Sequence, residues 1–192
     1  MSDAAAGLKS YLEQVSGMIS GMGSHPDMLN MHELVLEHGT LFPAPGESLS
    51  EAECETVDRV GSGLQFEMKE CFYNAQRLAA ISGGELRYFE GFATRIIPVH
   101  HAWVVTPSGK VVDLTWRLMK EDGPLADRKV PQQWADCAAF GQMADSVAYM
   151  GVEIPEAVDA LDRMGEHGWC YSYLDDWTDN RKMLERSRWE SA

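Results

Sequence analysis

An α+β fold is predicted for this chain by three observations. Apolar residues recur at helical spacing near the N-terminus and again in a central segment. Three consecutive runs rich in aromatic and β-branched residues then read as strands joined by short connections. Acidic helical segments and loops follow, so the order is helices, central helix, strands, helices rather than an alternating strand–helix pattern.

Each element has its own signal. Leu8, Leu12, Val15 and Ile19 predict an amphipathic helix over about residues 3–20, ending in the Gly-rich stretch Gly17–Gly23 before the turn His25-Pro26-Asp27. A second short helix is expected over Leu29–Glu37, stopped by Gly39. Pro43-Ala44-Pro45-Gly46 breaks the pattern, so residues 1–46 read as a helical N-terminal extension. Ser50-Glu51-Ala52-Glu53 matches a capping box and opens a helix that ends near Gly61. After Gly61-Ser62-Gly63, Glu67–Ile81 reads as the central helix, with Phe72, Ala75, Leu78 and Ala79 on one face and Gly83-Gly84 stopping it. The strand runs are Glu85–Ala93, Val99–Val105 and Lys110–Trp116, with Pro107-Ser108-Gly109 joining the last two. Residues 47–118 thus form the expected core. Residues 119–192 read as a mainly helical segment packed on it, with helices over Val130–Tyr149 and Pro155–Gly165.

Composition narrows the function. The 192 residues are 45% apolar and 24% charged, enough for one domain with a real core. Sixteen Lys+Arg against thirty Asp+Glu give a net charge of −14. Such a chain has no basic stripe to displace the counterions of a phosphate backbone, so neither nucleic acid nor an anionic membrane is an expected partner. A basic partner would suit it. Cys54, Cys71, Cys137 and Cys170 lie far apart without a CxxC pair, which is neither a zinc knuckle nor a small disulfide scaffold. The N-terminus lacks the basic region and apolar run of a signal peptide, and no run approaches 18 apolar residues. A reducing cytoplasm with free thiols is the expectation. His32-Glu33 followed by His38 is not the HExxH spacing of a zinc hydrolase, and no metal or cofactor is expected.

Three residues carry chemistry together: Cys71 in the central helix, His101 on the second strand and Asp113 on the third. A thiol is a good nucleophile only as thiolate, so a catalytic cysteine needs a nearby base and favours a helix N-terminus. A helix starting at Glu67 would put Cys71 beyond the first turn, whereas a start nearer Glu70 would let the helix dipole act on it. Histidine supplies the base, and a carboxylate on its far nitrogen fixes the tautomer. Strand alternation sets a condition on the pair. A seven-residue loop, Val104–Lys110, places His101 and Asp113 directly opposite; a five-residue loop, Thr106–Lys110, places them diagonally within reach. A two-residue Ser108-Gly109 turn would put them on opposite faces and make His100 the candidate base.

The runs Lys69-Glu70-Cys71-Phe72-Tyr73-Asn74-Ala75, Tyr88-Phe89-Glu90-Gly91-Phe92-Ala93, His101-Ala102-Trp103-Val104 and Val112-Asp113-Leu114-Thr115-Trp116 together resemble the transglutaminase-like core of the papain-like cysteine enzymes. The resemblance covers about residues 62–118. It implies a cysteine-bearing helix packed on an antiparallel sheet that carries His and Asp. It also implies Cys71 as nucleophile, His101 as general base and Asp113 as orienting carboxylate, and Gln65, six residues before the cysteine, as an oxyanion-hole donor. Trp103 and Trp116 would wall a substrate pocket. The expected activity is acyl transfer through a thioester, as an amide or peptide hydrolase, a deamidase or a transglutaminase-type transferase. Its partner would be an amide- or amine-containing substrate, with a mild preference for a basic or proteinaceous one.

The rival expectation is a non-catalytic acidic protein on the same fold that binds a basic protein, as an accessory protein of a virus or mobile element would. The C-terminal aromatic run Trp169-Cys170-Tyr171-Ser172-Tyr173 is expected to pack the terminal segment onto the core.

Overall fold

The computed structural model describes residues 2–23, 25–67, 69–94, 97–117, 140–167, 171–175 and 180–190. These residues form a mixed α/β fold around a curled, wholly antiparallel sheet. The elements are α1 (Asp3–Gly21), α2 (Met31–His38), β1 (Thr40–Pro43), α3 (Glu51–Gly61), α4 (Cys71–Ile81), β2 (Arg87–Thr94), β3 (Pro98–Val105), β4 (Val111–Val112), α5 (Leu114–Arg117) and β5 (Ala148–Glu153). A 3-10 turn (Pro155–Asp159) then leads into α6 (Ala160–His167), and α7 (Asn180–Leu184) and α8 (Arg186–Glu190) close the order. Strand order in the sheet is β1-β5-β2-β3-β4.

The N-terminal signals are realised closely. Ser2 caps α1, which buries Ala5, Leu8, Leu12 and Ser16, while Ile19 turns outward at 37% exposure. Asn30 and Glu33 form a capping box on α2, and Ser50 and Glu53 form the one expected on α3. Two strands lie where the sequence predicts none. β1 falls within residues 1–46 and pairs with β5, which falls within residues 119–192. Both therefore belong to one sheet with β2–β4.

Three boundaries differ from expectation. The central helix begins at Cys71 rather than Glu67, because Lys69 takes a left-handed conformation (φ 70°) that no α-helix accepts. The Asn74 side chain holds the loop in that shape, accepting from Glu67 N (3.0 Å) and donating to Glu67 O (2.7 Å). The third strand stops at Val112, because Asp113 Oδ1 accepts from Trp116 N (3.0 Å) and so caps the single turn α5. The helix expected over Val130–Tyr149 falls partly outside the described residues; within them the chain enters β5 at Ala148. β5 is central and buried on both faces, so its residues carry no period-2 alternation to betray a strand.

The sheet buries both faces. Tyr88, Phe92, Ala102, Val104, Met150 and Val152 face α1, α2 and α4, where Leu8, Leu34, Ala75 and Leu78 meet them. Phe42, Phe89, Trp103, Val105 and Tyr149 form a second, smaller core on the opposite face. Gly91 and Gly151 lie side by side within the sheet, opposite His101. A Cβ on Gly151 would fall 2.6 Å from Trp103 Cη2, so the glycine is what lets the indole lie against the central strand. Among the described residues no helix is long and apolar enough to cross a membrane.

Candidate active site

β3 pairs with β4 through Val104↔Val112 and Val105↔Val111, so the connecting loop is Thr106–Lys110. This is the five-residue case, and it sets His101 and Asp113 diagonally on one face. His101 Nε2 lies 2.7 Å from Asp113 Oδ2, and both side chains are buried. Asp113 has further donors: Trp116 N on Oδ1 and the Tyr149 hydroxyl on Oδ2 (2.9 Å). The Trp116 ring stacks on the imidazole at 4.4 Å between centroids and 23° between planes.

The thiol comes from the helix. β4 is only two residues long, and past it the chain turns into α5. There Asn74 Nδ2 donates to Thr115 Oγ1 (2.9 Å), tying the first turn of α4 to α5. Cys71, the first residue of α4, thereby becomes the second hydrogen-bonding and charge partner of His101. Burial by itself lowers the imidazole's proton affinity. The Asp113 carboxylate, the electrostatic influence of Cys71 and the hydrogen bonds to both outweigh burial and raise the His101 pKa to about 10. No side chain caps α4, so the amides of its first turn have no side-chain acceptor. Glu67 and Glu70, the two carboxylates just before the cysteine, are exposed rather than buried with it.

The remaining sequence candidates fall elsewhere. Gln65 is exposed; its carbonyl accepts from Arg77 Nη1 (3.0 Å), and among the described residues no hydrogen bond ties its side chain to Cys71. Trp103 is 1% exposed and packs between Phe89, Phe42 and Tyr149, which makes it core rather than a pocket wall. Trp116 is buried as well, and its ring touches the imidazole. His32 sits against Phe92 at 4.6 Å, and His38 against Trp189 at 5.9 Å. Among the described residues no three His, Cys, Asp or Glu side chains gather as a metal site. Cys137, Cys170 and Trp169 lie outside the described residues; of the rest of the aromatic run, Ser172 and Tyr173 are buried, as is Leu174 after it, while Tyr171 is exposed.

His100 points to the other face, and it has a carboxylate of its own. Its Nε2 lies 3.0 Å from Oε1 of Glu90, which is fully buried. Glu90 also accepts from the Tyr88 hydroxyl (2.8 Å), the Ser172 hydroxyl, Tyr173 N (2.9 Å) and Leu174 N (3.0 Å). The signal for this hub was present in the sequence: a lone Glu between Phe89 and Gly91 in an apolar strand requires partners. For Tyr149 there was no such signal, since its strand was not recognisable. A cavity of about 1050 Å³ opens on the Phe42–Phe89 side of the sheet, where Arg87, Lys110 and Arg188 are each paired with a glutamate.

Compared with known protein families, curated proteins and solved structures, the chain matches none.

Proposed function

We propose that the chain is a cysteine-dependent acyl-transfer enzyme of the transglutaminase-like, papain-like type. One observation carries the reading: a single imidazole with Asp113 2.7 Å from one nitrogen and the Cys71 sulfur as its other partner. Three such groups, from the start of α4, the middle of β3 and the residue after β4, are what nucleophilic thiol chemistry requires. A helix that begins at the cysteine and packs on an antiparallel sheet bearing the other two groups supports the same reading.

In this mechanism a histidine that retains its proton serves as half of a thiolate–imidazolium pair. Cys71 Sγ attacks the carbonyl carbon of an amide. The negative charge that develops on the carbonyl oxygen is met by the amides of the first turn of α4. His101 gives its proton to the departing nitrogen, leaving a thioester on Cys71. Water then yields the acid, or an amine yields a new amide, with His101 taking the proton back. The net charge of −14 favours a basic substrate, and free thiols at Cys54 and Cys71 favour a reducing compartment such as the cytoplasm.

Iodoacetamide labelling of Cys71 across pH 4–9, with His101→Ala as the comparison, tests the reading. Fast labelling below about pH 7 that disappears in His101→Ala is expected. Labelling that follows an ordinary thiol, with a midpoint near 8.5, would overturn it. A second reading, an acidic protein that binds a basic partner, is favoured by the burial of Cys71 and His101 at 6% and 3% exposure. Its binding would survive Cys71→Ser and weaken steeply with salt.

A further inference from the structure

Tyr149 takes no part in the chemistry above, yet it holds the carboxylate on which that chemistry turns. Asp113 Oδ2 accepts two hydrogen bonds, from His101 Nε2 at 2.7 Å and from the Tyr149 hydroxyl at 2.9 Å. The other oxygen accepts from Trp116 N at 3.0 Å. A carboxylate held by one donor can rotate about its Cβ–Cγ bond and carry the imidazole off line. With donors on both oxygens, and two on the one that orients His101, rotation would break all three bonds at once.

The source of the third donor matters. β5 is separated from β4 by β2 and β3, so the phenol crosses the face of the sheet to reach Asp113. It is fully buried, lies edge-on to Trp103 at 5.0 Å and sits 5.6 Å from the Trp116 ring that stacks on the imidazole. Among the described residues, the titratable groups gathered on Asp113 are His101 from β3 and Tyr149 from β5, with Cys71 of α4 acting through the imidazole. We infer that Tyr149 is a positioning residue of the Cys71 site: its hydroxyl fixes Asp113 and, through it, holds the imidazole in line with the thiol. The inference rests on the acyl-transfer reading above.

Tyr149→Phe removes the hydroxyl and keeps the ring. The readout is the ratio of Cys71 alkylation rates by iodoacetamide at pH 6 and pH 9, with Cys54 as the internal reference. At pH 9 an ordinary thiol ionises by itself, whereas at pH 6 labelling depends on the imidazolium pair. The ratio should fall about tenfold in Tyr149→Phe, the effect of one hydrogen bond to a charged group. A purely structural role would change both rates together and leave the ratio as it was, which would overturn the inference. If wild-type Cys71 shows no higher ratio than Cys54, the acyl-transfer reading itself fails. If the wild-type ratio is high and Tyr149→Phe retains it, only the role of Tyr149 fails. Proton NMR supplies a second test: the His101 Nε2 proton, deshielded against Asp113 in the wild type, should shift or broaden in Tyr149→Phe. An unchanged signal would count against the assignment.

Discussion

Replacing Glu90 by Gln sets two large effects against each other. The carboxylate is fully buried, which disfavours its charge, and it accepts five hydrogen bonds, which favour it. Burial is the largest influence, but the His100, Ser172 and Leu174 bonds together outweigh it, and the Glu90 pKa ends up lowered. The folded protein therefore prefers the ion, and a neutral isostere should destabilise it. The amide nitrogen of Gln fits best at the Oε2 position, where the Tyr88 hydroxyl can turn round to accept. The Tyr173 N–H then faces a donor, at a cost of about 1–3 kcal/mol. The bonds left at Oε1 lose their charge assistance, roughly 1 kcal/mol each. The sum, about 4–6 kcal/mol, lies at the upper end of the usual cost of breaking a buried ionic network. For a chain of this size that corresponds to a fall in melting temperature on the order of 10 °C.

Thermal and urea unfolding of the two proteins would measure this, and hydrogen exchange at Tyr173 and Leu174 would localise it. The pH dependence supplies a further check. A carboxylate whose folded pKa is depressed contributes stability above its unfolded value, about 4.3, and loses it as pH falls toward the folded value. The gap between wild type and Glu90→Gln should therefore narrow below about pH 4. If the variant were as stable as the wild type at pH 7, the cost of burying the charge would be the larger effect and the reasoning would fail.

Other outcomes follow from the same geometry. Asp113→Asn removes the largest of the effects that raise the His101 pKa, so its imidazole midpoint should drop from about 10 toward the ordinary range; an unmoved midpoint by NMR would contradict the pairing. Asn74→Ala frees the loop before Cys71 and leaves Thr115 without that donor, which should cost about 1–3 kcal/mol in urea unfolding and slow Cys71 labelling at pH 6. Gly151→Ala would set a methyl 2.5 Å from Glu90 O and 2.6 Å from Trp103 Cη2 in a strand paired on both sides. A loss of about 1–3 kcal/mol or more is expected, and an unchanged urea midpoint would mean that the sheet yields more readily than its pairing implies.

Much of this protein is legible in its sequence because the relevant physics is local. The capping box at Ser50 and Glu53, the helical stripe through Leu8 and Leu12, and the strands around Tyr88 and Trp103 depend on neighbours a few residues away. The His101–Asp113 pair was accessible for the same reason, since loop length and strand alternation leave few arrangements. Other features needed the folded chain. The start of α4 at Cys71 depends on Asn74 reaching back to Glu67 and across to Thr115. The identity of β5 could not be read from its residues, because a strand buried on both faces has lost the alternation that marks strands at the surface. With β5 unrecognised, the Tyr149 contact with Asp113 and the closure of residues 172–174 over Glu90 were also hidden. The chain by itself determined which chemically capable side chains are present and in what order they occur. Only the tertiary structure decided which of them meet, because contacts between strands and helices distant in sequence are set by packing rather than by spacing.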